Sequence, residues 1–121
     1  ASAGRACCPR SVRYGSVKVQ ELNSSRAAYH LLDVRQDDEW QAGHIEGAQH
    51  VPLGQLAASL ADVPTDRPVV TVCRSGHRSA IAARGLSARG ILAENLDGGV
   101  EAWAKAGYPL RTPGGAPGRV I

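Results

Sequence analysis

The chain has 121 residues, 14 Lys and Arg against 11 Asp and Glu, and a net charge of +3. That length suits one compact domain with its own core. The basic residues are scattered, with no dense cationic run and no interleaved aromatics, which argues against nucleic-acid binding and suits a local site for a small anion.

Phe and Met are absent, so Val, Leu, Ile and Ala must build the core. No apolar run approaches membrane-spanning length and no secretory apolar segment is visible, so no membrane partner is expected. The three cysteines, Cys7, Cys8 and Cys73, form neither a disulfide framework nor a zinc-ligand spacing. No metal or cofactor is expected, and a reducing, cytoplasmic setting is favoured.

In chain order, residues 1–15 read as an arm rich in Gly, Ser, Ala and Arg. Residues 20–28 suit a short helix, and residues 30–34 (HLLDV) a short strand ending in charge. In QDDEWQAG, residues 36–43, acids stand early and Gly late, as in a helix of one to two turns. Residues 48–52 (AQHVP) form a strand stopped by Pro, and Leu53, Leu56 and Leu60 have helical spacing over residues 53–61. PVVTV, residues 68–72, is apolar and β-branched like a strand buried on both faces. An Ala-rich helix follows over residues 77–89 with Gly90 as its stop, then a strand over 91–96 and a helix over 98–106. Asp97 suits the N-cap of that last helix. Residues 111–121, rich in Pro and Gly, read as a tail, which leaves a domain over residues 16–110. Alternating strands and helices predict an α/β fold with a mostly parallel sheet covered on both faces. Ligands of such sheets bind beyond the carboxyl ends of the strands, where Cys73 falls.

The stretch VCRSGHRS, residues 72–79, carries the chemistry. A free thiol is mostly protonated at neutral pH, but unpaired N–H groups at a helix start favour the anion. Arg74 and Arg78 add positive charge, and Gly76 lets the backbone curl tightly. Residues 73–78 are expected to form a cradle of N–H groups, with Ser79 fixing the helix start or donating to sulfur. A strand, a cysteine, a cationic loop and a helix in that order point to a nucleophile.

Three segments together resemble a known family. LLDVRQDDEWQAGHIEGAQHVPL, VCRSGHRSAIAARGL and NLDGGVEAWAKAGYPL are similar, in this order, to the signatures of rhodanese domains. The resemblance implies a three-layer rhodanese-like fold, a central sheet of about five strands with helices on both faces, and sulfurtransferase activity. Cys73 would take a sulfane sulfur from a small anionic donor such as thiosulfate and hold it as a persulfide. Cyanide, a small thiol or a protein thiol would accept it. A protein-to-protein sulfur carrier or a regulatory module is the alternative reading. By the same resemblance the loop residues Arg74, Ser75, Gly76, His77, Arg78 and Ser79 would bind substrate, with Arg74 and Arg78 orienting donor oxygens and His77 at the rim. Related phosphatases and arsenate reductases place Arg six positions after Cys. Here Arg78 comes at five, which favours sulfur over phosphate. Ser75 stands where the commonest thiosulfate form has Lys.

Arg35 has two readings, as a contributor to the anion site or as a brace paired with Asp33 or Glu39. His44 reads as structural, since a cradled thiolate needs no base. Trp40 and Trp103 read as packing residues. Cys7 and Cys8 in the arm read as incidental rather than as a sulfur relay.

Overall fold

A computed structural model describes residues 15–121. Cys7, Cys8 and nearly all of the expected arm lie outside the described residues. Five strands form one parallel sheet: β1 (Gly15–Val17), β2 (His30–Asp33), β3 (Gln49–His50), β4 (Val69–Val72) and β5 (Ala93–Leu96), in the order β1-β5-β4-β2-β3. The helices are α1 (Val19–Ser24), α2 (Asp37–Ala42), α3 (His77–Ala88) and α4 (Gly99–Lys105). Among the described residues no helix is long and apolar enough to cross a membrane.

The central strand β4 is buried along its whole length, as its unbroken apolar run requires. Alternation along it divides the core. Val70 and Val72 join Val17, Leu22, Leu31, Leu96, Val100 and Trp103 on the face of α1 and α4. Val69 and Cys73 join Leu32, Val34, Leu56, Ala82, Ala83 and Leu86 on the face of α3. Residue parity therefore aims the Cys73 side chain toward the helix that follows it.

Several expected elements differ. Residues 20–28 divide at Ser25 into α1 and the 3-10 turn Arg26–Ala28, and β1 stands where no strand was expected. Residues 53–61 form two 3-10 segments, Leu53–Gln55 and Ala57–Asp62, and Ser59, at φ -114 and ψ 16, kinks the second. The residue preceding α4 is Gly98, left-handed at φ 78, so Asp97 is not its N-cap. Asp97 is instead an exposed side chain 3.9 Å from Lys18 Nζ. Residues 111–121 are no loose tail. Arg111 exchanges backbone hydrogen bonds with His44 at 2.8 and 2.9 Å, the Arg119 N–H donates to Ala42 at 2.9 Å, and Val120 packs on the core. Gly43 and Gly118 permit this approach, since a Cβ on either would run into the other segment's backbone.

Candidate active site

Beyond β4 the chain turns through residues 73–76 and enters α3. Gly76 takes φ 109, a left-handed conformation that glycine adopts without strain, and it directs its N–H at the Cys73 sulfur from 3.1 Å. The Ser79 hydroxyl donates to the same sulfur at 3.2 Å. Burial pushes the Cys73 thiol pKa up. The Ser79 hydroxyl and the N–H groups of Ser79, Gly76 and Ser75 outweigh it and hold the thiol below its ordinary value. Cys73 is a free cysteine only 1% exposed, so approach to the sulfur is narrow.

Ser79 also meets the Asn95 side-chain oxygen on β5. A hydroxyl has one hydrogen, so it serves the sulfur when the amide of Asn95 presents its NH₂ to the Ser79 oxygen. Thr71 Oγ1 donates to the Ser79 carbonyl at 2.7 Å, which ties the first turn of α3 to β4.

The start of α4 clamps the loop from outside. Val100 and Glu101 donate their N–H groups to the Cys73 and Arg74 carbonyls at 2.9 and 3.0 Å. Gly99, at φ 61, lies so close to both carbonyls that a Cβ there would overlap them.

Residues 17–106 match the rhodanese-like domain family. The chain belongs to that family. It is 40% identical over 85 residues to the protein YqhL of Bacillus subtilis, covering 69% of this chain and 68% of that one. It is 38% identical over 86 residues to a sulfurtransferase of Allochromatium vinosum, covering 70% of this chain and 80% of that one. A rhodanese-related protein of Thermoplasma volcanium superposes with a TM-score of 0.78 at 31% identity, over 80% of this chain and 97% of that one. The five-stranded parallel sheet is the rhodanese-like α/β architecture. In longer relatives the match is one part of the protein; it spans 36% of an HTH-type transcriptional regulator of Mycobacterium tuberculosis.

Within this rhodanese domain the arginines hold distinct positions. Arg78 forms a two-pronged pair with Glu39 of α2, at 2.7 and 2.8 Å. Glu39 also accepts the Gln36 N–H at 3.0 Å, so one carboxylate caps α2 and holds α3. Arg78 hydrogen bonds, opposed by burial, hold the Glu39 carboxyl down at about 2. The Arg78 fork is thus occupied by protein rather than open toward a donor. Arg74 is half exposed and lies 3.2 Å from Glu101. Ser75 and His77 are exposed at the rim.

Arg35 is fully buried. Its guanidinium grips Asp33 at 2.8–3.1 Å and the Gly43 carbonyl at 2.7 Å. Of its two sequence readings the contacts to Asp33 and the Gly43 carbonyl describe the brace. His44 donates Nδ1–H to the Trp40 carbonyl at 3.0 Å, with no contact to Cys73. Trp40 is sandwiched between the rings of His44 and His50, with centroids 3.5 and 4.7 Å away. Among the described residues no group of three or more His, Cys, Asp or Glu could hold a metal ion.

Asn95, Glu39 and Gly99 were not identified as site residues from sequence. The adjacent glycines 98 and 99 were a usable signal, since two in a row before a helix suit a close backbone approach. Asn95 and Glu39 act through contacts between distant segments, which local pattern does not show.

Proposed function

We propose that the protein is a sulfurtransferase that moves a sulfane sulfur from a small anionic donor such as thiosulfate to a thiophilic acceptor through a Cys73 persulfide. The observation that carries this reading is the sulfur of Cys73 held at 3.1 Å by the Gly76 N–H and at 3.2 Å by the Ser79 hydroxyl. Donors so placed favour a thiolate, the nucleophilic form. The thiolate attacks the outer sulfur of thiosulfate, a new S–S bond forms, and the electron pair of the broken S–S bond leaves with sulfite. Cyanide or a thiolate then attacks the outer sulfur of the persulfide, and Cys73 leaves as thiolate. No external oxidant or reductant is consumed, and two half-reactions sharing a covalent intermediate give ping-pong kinetics.

In this reading the loop residues Ser75, Gly76 and Ser79 surround the sulfur, and Arg74 attracts the donor anion from the rim. His77 lines that rim. Arg78 positions the loop through Glu39, and Arg35 braces the end of β2 against Gly43. A persistent free thiol suits a reducing compartment such as the cytoplasm. Mass spectrometry after incubation with thiosulfate tests the proposal. A gain of one sulfur atom on Cys73, removed by cyanide and absent in Cys73→Ser, is expected. A Cys73→Ser variant that still transfers sulfur would overturn it. Loading only from a persulfidated protein donor would shift the assignment to a protein-to-protein carrier.

A further inference from the structure

The outer surface of α3 carries arginines outside any ion pair beside an exposed isoleucine. From Cys73 to Ala93 there are four arginines and no Asp or Glu. Arg74 and Arg78 are paired with Glu101 and Glu39. Arg84 and Arg89 are exposed, and among the described residues neither joins an ion pair. Between α3 and the 3-10 segments runs an apolar groove of about 210 Å³, lined chiefly by Leu53, Leu56, Leu60, Ile81, Leu86 and Arg89; Arg84, three residues beyond Ile81, stands outside its lining. Ile81 is 51% exposed. Gly85, one turn further along α3, leaves the groove open, since a Cβ there meets nothing within 4 Å. Ile81 lies four residues beyond His77, which is roughly 6 Å along the helix from its sulfur-bearing end.

We propose that this groove docks a protein acceptor through an acidic amphipathic segment, whose apolar side chains fill the groove and whose carboxylates meet Arg84 and Arg89. The inference rests on the sulfur-transfer reading and assigns the acceptor class. Charge selects the occupant. A second copy docking through the same face would bring the same uncompensated arginines to the contact, whereas an acidic segment complements them. Docking beside the start of α3 places the acceptor's cysteine near the persulfide. Its thiolate then attacks the outer sulfur, the Cys73–sulfur bond breaks, and Cys73 departs as thiolate, with no change in overall oxidation state.

The probe is a synthetic amphipathic helical peptide with Leu on one face, Glu on the other and a terminal Cys. Two controls replace its Glu by Lys or its Leu by Ser. In amide NMR titrations of the resting protein, only the Leu/Glu peptide is expected to shift residues 53–60 and 81–89. With the protein preloaded from thiosulfate, that peptide is expected to show saturable sulfur uptake. Ile81→Glu and Gly85→Glu should each lower kcat/KM for it roughly tenfold, with transfer to cyanide unchanged. Equal behaviour of the three peptides, no shifts in the groove, or no loss in both variants would overturn the proposal. So would concentration-dependent shifts of the same residues without peptide, which would make the occupant a second copy. Failure to load with thiosulfate would count against the sulfur-transfer reading alone, because the titration needs no persulfide.

Discussion

At the residue scale, the chemistry turns on how a buried sulfur tolerates negative charge. Burial pushes the Cys73 thiol pKa up, and the hydrogen bonds from Ser79, Gly76 and Ser75 outweigh it and hold the pKa below its ordinary value. The Ser79 hydroxyl contributes most among these donors. Ser79→Ala should therefore shift the pH midpoint of Cys73 alkylation upward, with the fold retained. A midpoint unchanged from the parent protein would show that the backbone donors suffice. Arg78 acts at one remove, because its fork is committed to Glu39.

At the element scale, the site is a junction of β4, α3, β5 and the start of α4. Gly99 is its tightest point, combining a positive φ with contact against the Cys73 and Arg74 carbonyls. Gly99→Ala should destabilise the protein by at least about 2 kcal/mol in urea unfolding, and should also disturb Cys73 alkylation, since the loop must shift to admit the methyl group. Unchanged stability together with unchanged alkylation would contradict the clamp. Strand β4 and helix α3 were legible in the sequence because a β-branched apolar run and an Ala-rich stretch ended by Gly each have a local preference. In the loop between them, Cys73 and Gly76 were legible as a sulfur and a tight turn, whereas the commitment of Arg78 to Glu39 was not, because that partner lies 39 residues away. Residues 53–61 were not, since leucines at helical spacing mark a buried face without specifying an unbroken hydrogen-bond run. Asp97 misled because an Asp before a helix resembles a cap, whereas Gly98 takes that position. Arg35 was ambiguous until Asp33 and the Gly43 carbonyl closed around it.

At the scale of the whole molecule, two contacts between distant segments govern stability. Glu39 titrates at about 2 in the folded protein against an ordinary 4.5. Its folded value is the lower, so its contribution is fully present above about pH 4.5 and is lost as pH falls toward 2. That contribution is on the order of 3 kcal/mol. Glu39→Gln should unfold more readily than the parent protein at neutral pH, with the difference shrinking on acidification. Parallel pH–stability curves would refute the assignment. The second contact is the return of residues 111–121 along Gly43. Removing residues 112–121 deletes the Gly118 and Arg119 hydrogen bonds and the Val120 packing. The expected result is a melting temperature lower by several degrees with Cys73 alkylation little changed. An equal melting temperature would mean that the segment contributes no stability.

The strand order has a temporal consequence. β1 has a single neighbour in the sheet, and that neighbour is β5. The first of these strands to leave the ribosome must therefore wait for the last. At 5–20 residues per second, the interval is on the order of ten seconds. Throughout it the sheet edge that β1 will occupy does not yet exist, and the nascent chain depends on whatever shields Val17 and its neighbours until Ala93–Leu96 emerges.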